Sequence, residues 1–331
     1  MQPRGLGHTD QAVTPLGLGL AALGRPGYIN LDHAGDLGHG YSVETMQAHA
    51  ESVLDAAWAA GIRYFDAARS YGRAEAFLSG WLRTRAIAPA SVTVGSKWGY
   101  TYTAGWQVTA DVHEVKDHSL GVLRRQVEES RALLAPYLKL YQIHSATLES
   151  GVLENYAVLD ELARLRDSGL AIGLSLSGPQ QGATLARALE IEVGGQPLFA
   201  AVQATWNLLE QSAGPMLADA HAAGMGVIVK EALANGRLTS RNQEPAFAAK
   251  RHLLAEVAGS LGVTVDALAL SAVLHQPWAT VVLSGAATAD QVQSNVAALA
   301  VPWNSSLATL LAPLAEHPAE YWTTRSHLAW N

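Results

Sequence analysis

The chain has 331 residues, of which 49% are hydrophobic and 15% charged, a balance typical of a well-buried globular fold rather than a disordered chain. Its formal charge of -7 argues against nucleic acid or an anionic membrane as the main partner. The absence of cysteine excludes disulfides, thiolate catalysis, and zinc or iron–sulfur centres held by cysteine.

The segment Met1 to Asp10 is polar and lacks the basic region followed by an apolar stretch that marks a secretory signal. Apolar runs elsewhere are short and interrupted by charge, so none is expected to span a bilayer. We therefore expect a cytoplasmic protein whose partner is a small molecule, with neither a membrane nor a nucleic acid involved. No feature of the sequence specifies an oligomeric state.

Short runs rich in Val, Ile, Leu or Tyr, each bounded by Gly, Pro or polar residues, predict β-strands. These runs are Leu16–Leu20, Ile62–Asp66, Val92–Lys97, Leu138–His144, Ala171–Ser175, Ala200–Thr205, Gly226–Val229 and Thr280–Ser284. Between them apolar residues recur at helical spacing, as in the segment from Met46 to Trp58. A further helix is predicted over Leu153–Ser168, with Gly169 at its C-terminal end.

Strands that alternate with helices predict a parallel sheet with right-handed crossovers, and eight strands close a TIM barrel. A doubly wound open sheet is the alternative, but the first strand leads to Gly24-Arg25-Pro26-Gly27 and not to the glycine-rich phosphate loop of that fold. We predict an α/β protein with one (β/α)8 barrel domain over residues 1–331. Its core covers about residues 16–300, and residues 301–331 form a C-terminal tail.

Charged or titratable residues end three neighbouring predicted strands, at the edge where barrel active sites lie. They are Asp66, Lys97 and His144, and Tyr71 follows Asp66 in the next loop. Any one of them alone is more often a structural ion pair or a satisfied buried histidine, but four together favour a catalytic site. The group suits proton transfer coupled to hydride transfer. Tyr71 would act as general acid or base, an adjacent ammonium would lower its pKa, and a neutral imidazole would orient the carbonyl.

The stretch Phe65 to Glu75, with Asp66 and Tyr71 five residues apart before a Gly-x-x-Glu helix start, resembles the signature of the aldo/keto reductase family. Lys97 and His144 fall where the remaining members of the family tetrad belong, and the resemblance extends from about Leu16 to Leu299. It implies a TIM barrel that uses NADPH, less often NADH, without a metal.

The same resemblance implies cofactor contacts along the later strands. Ser175 and Gln203 match residues that hold the nicotinamide carboxamide, and Lys230 occupies the position of an aromatic residue that often stacks on the nicotinamide. The pyrophosphate loop corresponds to Leu233, Gly236 and Leu238, and the adenosine-phosphate site to Gly285, Ala287, Thr288, Gln291 and Asn295. A Thr-x-x-Gln capping box at residues 288–291 independently predicts a helix N-terminus that attracts phosphate.

Three residues depart from the family pattern. Leu176 replaces an Asn that commonly follows the nicotinamide-binding Ser, and Lys230 replaces the stacking aromatic residue. Ala287 stands where members selective for NADPH carry Arg or Lys, so both NADP and NAD stay open as cofactors, with Arg251 as a possible substitute cation.

Two segments are expected to overhang the top face and form the substrate pocket. They are the insertion at residues 24–41, with Tyr28, and the segment after the third strand, with Trp98 and Tyr100. Asp, His and Glu residues at 111–118 are too irregularly spaced for a zinc motif, so we expect no metal. The tail, with Trp303, Trp322 and Trp330, is expected either to close the barrel bottom or to reach the substrate.

The sequence thus favours an oxidoreductase that transfers hydride between NAD(P)H and an aldehyde, ketone or sugar-type carbonyl. The alternative is a regulatory protein that binds a nicotinamide cofactor on the same barrel with little turnover, which the departures at Leu176 and Lys230 keep open. A metal-dependent barrel hydrolase is disfavoured, because no His-x-His ends the first strand.

Overall fold

The computed structural model describes residues 1–331 and contains a closed barrel of eight parallel strands whose spatial order follows the chain. The strands are β1 (Leu16–Gly19), β2 (Tyr64–Asp66), β3 (Thr93–Trp98), β4 (Leu138–Ala146), β5 (Ala171–Leu176), β6 (Ala201–Thr205), β7 (Gly226–Lys230) and β8 (Val281–Ser284). All eight predicted strands and the predicted barrel are confirmed, with bounds that differ by one or two residues.

Helices surround the barrel. They are α1 (Val43–Ala59), α2 (Ala74–Thr84), α3 (Leu120–Leu134), α4 (Tyr156–Asp167), α5 (Gln181–Leu189), α6 (Gly214–Ala222), α7 (Ala248–Leu261), α8 (Val265–Leu274), α9 (Ala289–Ala297), α10 (Ser305–Leu311) and α11 (Pro318–Ser326). Short 3₁₀ turns lie at Pro89–Ser91, Leu148–Ser150, Val152–Glu154, Ala234–Gly236, Pro245–Phe247, Ala298–Ala300 and Ala312–Leu314.

The helix α4 begins three residues later than predicted. The Asn155 side chain accepts a hydrogen bond from the Val158 amide and so caps the helix at that point. The residues before it, Val152–Glu154, form a separate 3₁₀ turn, which accounts for the apolar pattern that the prediction included.

Most of the core lies between the barrel and its helices, as a cluster of 68 buried residues. Inside the barrel, a smaller cluster of eight residues includes Leu6 and Val13, which belong to a hairpin formed by Arg4–Gly5 and Ala12–Val13. The His8 amide donates to the Gly224 carbonyl, so this hairpin closes the bottom of the barrel.

Because the N-terminal hairpin covers the bottom, the C-terminal tail is free to lie elsewhere. Its residues Leu311, Leu314, Tyr321 and Trp322 pack with α7 and α8 in a separate cluster of 15 residues. Beyond α11 the chain continues to the top face, where Trp330 lines a cavity. The tail therefore does not close the barrel bottom. It reaches the top face, where the substrate pocket was expected.

Two segments form the rest of the top face. The insertion at residues 24–41 contains a single helical turn, His33–Asp36, and is otherwise irregular. After β3, the strands Tyr100–Tyr102 and Glu114–Lys116 pair as an antiparallel hairpin. A second small hairpin, Glu192–Val193 with Gln196–Pro197, lies before β6.

No single helix is long and apolar enough to cross a membrane. By length and composition alone, only the pair Pro245–Leu261 and Val265–Leu274, bent by 85°, meets the criterion.

Candidate active site

Three barrel strands and one loop bring the predicted tetrad together at the top of the barrel. Asp66 ends β2, Lys97 lies near the end of β3 and His144 lies on β4, and all three are almost completely buried. The Lys97 ammonium forms an ion pair with Asp66 and donates to the Ala67 carbonyl at 3.0 Å. The Tyr71 hydroxyl lies 3.5 Å from His144 Nε2, and Lys97 Nζ lies 5.0 Å from the centroid of the Tyr71 ring.

Two glycines allow the loop after β2 to bring Tyr71 back over the strand ends. Gly72 has a φ of 57°, and a Cβ there would lie 2.5 Å from the Gly24 carbonyl oxygen. A Cβ on Gly24 would in turn lie 2.2 Å from the Tyr71 carbonyl oxygen. Larger residues at either position would therefore separate the insertion from the loop that carries Tyr71.

The Asp66 carboxylate has several further partners besides Lys97. Tyr64 Oη donates to it at 3.2 Å, Gln142 Nε2 at 3.3 Å and Gln203 Nε2 at 2.9 Å. These bonds hold the buried carboxylate, and so the lysine, in a fixed position.

The pKa of Tyr71 moves opposite to the expectation from sequence. Burial raises the pKa of the phenol well above its usual value, and the nearby Asp66 charge raises it further, while Arg25 opposes the shift. The Lys97 ammonium is ion-paired with Asp66, whose negative charge lies close to the phenol. For His144, burial and then the Lys97 charge hold the pKa well below the usual value, so the imidazole is neutral at pH 7.

A cavity of about 580 Å³ runs across the top of the barrel from the tetrad towards β8, within the size range of small-molecule and cofactor sites. Asp66, Tyr71 and His144 line it, and Lys97 lies beneath them. Of the residues predicted for the substrate pocket, Tyr28 and Tyr100 line the cavity, whereas Trp98 does not. Successive residues of a strand point to opposite faces, so Trp98, which follows the inward Lys97, is buried in the core between barrel and helices.

The residues predicted to bind the cofactor separate into two groups. The first group lines the cavity and contains Gln203, Lys230, Leu233, Gly236, Gly285, Gln291 and Asn295. The second is buried away from the cavity or outside its wall and contains Ser175, Leu238, Ala287 and Thr288. Within this second group, Ser175 Oγ accepts from the Ser145 amide at 2.8 Å, and Leu238 belongs to the cluster under α7 and α8.

The predicted helix N-terminus after β8 is present as α9. Thr288 Oγ1 accepts from the Gln291 amide at 3.2 Å, and Gln291 Oε1 accepts from the Ala287 amide at 2.8 Å, one residue before the position a standard capping box uses. The Asn295 amide donates to Ser284 Oγ at 2.8 Å, which ties α9 to the end of β8.

The cavity wall retains the features that a dinucleotide would use. Asn235 Oδ1 is buried without a hydrogen-bond partner in the loop after β7, and this residue lines the cavity. At Gly285, a Cβ would meet nothing within 4 Å, so the backbone there is open to a ligand. An unpaired acceptor of this kind fits a ribose hydroxyl, and open backbone N–H groups fit the phosphate oxygens of a nucleotide.

Lys230, at the position of the expected stacking aromatic residue, is not a free cation. Its ammonium donates to Thr205 Oγ1 at 2.8 Å and lies 3.6 Å from Glu231, which Arg325 of α11 also binds at 2.6 Å. Burial lowers the pKa of Lys230 to about 8. Burial alone would raise the pKa of Glu231, but Arg325 and Lys230 lower it to about 2.

A second departure from the family pattern, Leu176, does not line the cavity. Its side chain is fully buried in the core between barrel and helices. The hydrophobic residue therefore fills a core position outside the cavity wall.

A buried cation at the tetrad end of the cavity was missed by the sequence analysis. The Arg25 guanidinium is bonded to Glu114 at 2.9 Å and to the Ser70 carbonyl at 3.0 Å. It also lies 5.2 Å from the centroid of the Tyr71 ring and 4.8 Å from that of Trp330. The only signal for it in the sequence is one arginine within the glycine- and proline-rich start of the insertion.

The acidic and histidine residues at 111–118 take separate roles. Glu114 pairs with Arg25, His118 Nε2 lies 2.9 Å from the His144 carbonyl, and the His113 ring stacks on Trp330 at 3.9 Å. No group of three or more His, Asp or Glu side chains in the protein is arranged to hold a metal ion.

Comparison with known proteins agrees with this arrangement. The family model described as the aldo/keto reductase family matches residues 15–312. A pyridoxal 4-dehydrogenase of Microbacterium luteolum is 26% identical over 364 residues, covering 98% of this chain and 96% of that protein.

Solved structures give the same result for the fold. The aldo-keto reductase AKR11C1 of Bacillus halodurans, in its holo form, superposes with a TM-score of 0.73 at 22% identity, covering 96% of this chain and 97% of that one. A putative aldo-keto reductase of Pseudomonas aeruginosa superposes with a TM-score of 0.62 at 27% identity, covering 90% and 95%. The chain therefore belongs to the aldo/keto reductase family.

Proposed function

We propose that this oxidoreductase transfers hydride between NAD(P)H and an aldehyde, ketone or sugar-type carbonyl, or carries out the reverse oxidation, with Tyr71 as general acid or base. The observation that carries the proposal is the meeting of Tyr71, His144 and the Asp66–Lys97 pair at one end of a cavity long enough to extend to β8. Such convergence of buried titratable groups in a cleft favours catalysis over a structural role.

Tyr71 is the group that moves the proton. Its raised pKa keeps the phenol protonated at neutral pH, which is the form that a general acid for carbonyl reduction requires. In the oxidative direction the phenolate must accept the proton of the alcohol, and this form is scarce at neutral pH. The site is therefore better suited to reduction at pH 7 and to oxidation at higher pH.

The other three residues position Tyr71 and the substrate. The neutral His144 imidazole, 3.5 Å from the Tyr71 hydroxyl, is able to donate a hydrogen bond to a carbonyl oxygen placed between them. The ion pair of Lys97 and Asp66 forms the floor of the site under the Tyr71 ring. When bound, the nicotinamide supplies or accepts the hydride.

For the cofactor, we propose that Gln203 and Lys230 lie near the nicotinamide and that Asn235, Gly236 and Gly285 lie along the pyrophosphate. These residues line the cavity between the tetrad and β8, and the unpaired Asn235 Oδ1 would accept from a ribose hydroxyl next to the pyrophosphate. The chain would thus bind a nicotinamide dinucleotide without a metal, as members of the family do.

The substrate is proposed to be a small ring-containing carbonyl or alcohol. Tyr28, Tyr100 and Trp330 line the tetrad end together with the cation of Arg25, and aromatic faces of this kind suit a flat ring. The Microbacterium luteolum relative is named a pyridoxal 4-dehydrogenase, so pyridoxal is the first compound to assay.

The test is turnover of the Tyr71→Phe variant with NADH and with NADPH, against pyridoxal and a panel of sugars and small aldehydes. We expect kcat to fall by at least ~10²-fold while nucleotide binding is retained, since only the proton donor is lost. The control Tyr156→Phe makes the same change at a side chain that is 74% exposed and should leave kcat unchanged. Equal rates for wild type and Tyr71→Phe would contradict the proposed role.

The alternative of a regulatory protein gives a different pattern. In that case wild type would bind a nucleotide tightly but reduce or oxidise none of the panel. The proposal of an enzyme is favoured because the tetrad is complete and because Leu176 and Lys230 are accommodated without disturbing it.

A further inference from the structure

The end of the cavity next to β8 is crossed by one residue of the insertion, Asp36. Arg241, in the loop after β7, binds its carboxylate through both guanidinium nitrogens, at 2.7 Å and 2.5 Å. From the opposite side, the Gln291 amide of α9 donates to it at 2.7 Å. The Asp36 side chain is only 6% exposed, so this carboxylate is held in place between the two walls.

Negative charge exceeds positive charge at this β8 end of the cavity. Asp36, Asp266 and Asp290 line it, and Arg241 is the only Lys or Arg among the lining residues there. That arginine is already neutralised by its two bonds to Asp36. No Lys or Arg occurs between His252 and Thr324, so the loop and helix after β8 add no cation.

The substitute cation considered from the sequence does not reach the cavity. Arg251 Nη1 donates to the Asn242 carbonyl at 3.0 Å and to the Glu244 carbonyl at 3.4 Å, and the residue does not line the cavity. Ala287, at the position where a cation was expected, is fully buried.

These charges discriminate between the two forms of the cofactor. A 2′-phosphate carries about two negative charges and needs cations or free donors, whereas a ribose hydroxyl donates a hydrogen bond to a carboxylate. For the phosphate to bind Arg241, the two bonds to Asp36 would have to break, and the freed carboxylate would then face the phosphate.

Resting on the proposed function, we infer that Asp36 makes this protein selective for NADH over NADPH. Its carboxylate accepts a hydrogen bond from the adenosine ribose. It also pairs with Arg241, the only cation at that end of the cavity. The preference is thus opposite to the NADPH habit that the family resemblance implies. The residue that sets the cofactor preference lies in the insertion after β1. The sequence pattern had instead pointed to Ala287, in the loop after β8.

The test measures dissociation constants of NADH and NADPH separately, from quenching of tryptophan fluorescence in the purified protein. Wild type should bind NADH at least ~10-fold more tightly, the size of one hydrogen bond to a charged group. Asp36→Asn should reduce this ratio by at least ~10-fold, chiefly through tighter binding of NADPH to the released Arg241. Adding Arg241→Ala to Asp36→Asn should abolish the gain, because it removes the released cation.

Asp160→Asn is the matched control. It makes the same chemical change at an exposed residue of α4 that does not line the cavity, and should leave both constants unchanged. A wild type that prefers NADPH, or an Asp36→Asn variant with an unaltered ratio, would overturn the inference while leaving the proposed function intact. Binding of neither nucleotide would overturn the proposed function itself, and the inference with it.

Discussion

The ion pair between Asp66 and Lys97 allows a quantitative test of how the site is held together. Both residues are 1% exposed, so both charges are almost completely shielded from bulk water. Replacing Lys97 by Met keeps the length of the side chain but leaves the Asp66 carboxylate with only the neutral donors Tyr64, Gln142 and Gln203. Breaking a buried pair at one partner costs about 3–5 kcal/mol, because the other charge stays buried without its counterion.

The expected change in melting temperature follows from the size of the protein. With an unfolding entropy of about 2.1 cal/mol/K per residue, 331 residues give about 0.7 kcal/mol per kelvin. Lys97→Met should therefore lower Tm by about 4–7 °C.

The assay is thermal unfolding followed by circular dichroism at pH 7 without nucleotide. Lys139→Met is the control, since Lys139 is partly exposed and forms no ion pair. The double variant Asp66→Asn/Lys97→Met should lower Tm by less than the sum of the two single variants, because it removes both charges of the pair. A Tm for Lys97→Met within about 1 °C of wild type would refute the reasoning, because the pair would then contribute little to stability.

Three further predictions concern binding and pH. Arg25→Met removes the cation between Glu114 and the aromatic rings and should raise KM for a ring substrate by at least ~10-fold, while an unchanged KM in steady-state assays would contradict this role. Burial lowers the pKa of His33 to about 4, so this residue should contribute about 3 kcal/mol to the fall in stability as pH drops from 6.5 to 4, and in urea unfolding His33→Leu should lose that share while the shares of His118 and His144 remain. Because the pKa of Tyr71 is raised, the oxidation rate should increase by about tenfold per pH unit up to pH 9 while reduction stays flat, and a pH-independent oxidation would argue against a Tyr71 base.

The barrel and the tetrad were predictable because they depend on local pattern and on one topological rule. Each strand is a short apolar run with clear boundaries, and functional residues of a barrel lie at the carboxyl ends of its strands. Asp66, Lys97 and His144 occupy such positions, so their convergence follows once the strand order is known.

The position of Trp98 was misjudged although the signal was present. Alternation along β3 places Lys97 inside the barrel and therefore Trp98 outside it. The same rule explains why Leu176, after the inward Ser175, fills the outer core.

Contacts between distant segments could not be read from the sequence. The Asn331 side chain accepts from the amides of His33 and Ala34, nearly 300 residues earlier, at 2.7 Å and 3.3 Å. Likewise, Asp36 meets Arg241 and Gln291 only because three loops meet over the cavity. No local propensity specifies such contacts, which depend on the packing of complete loops.

The direction of the Tyr71 pKa shift also required the structure. The sequence places a lysine nearby, which suggests a lower pKa. In the structure the phenol is buried and Asp66, the partner of Lys97, adds a negative charge nearby, so the pKa of Tyr71 is raised instead.

Hydride transfer at the site of Tyr71 can be tested by following the transferred hydrogen itself. The purified protein is incubated with NADH or NADPH deuterated at C4 of the nicotinamide, on either face, and with a panel of small aldehydes. The alcohol products are then analysed by mass spectrometry. We expect wild type to place one deuterium on the former carbonyl carbon when one face of the cofactor is labelled, and Tyr71→Phe to form little or no labelled alcohol. Absence of deuterated alcohol from every aldehyde with both cofactors, or equal labelling by wild type and Tyr71→Phe, would contradict this expectation.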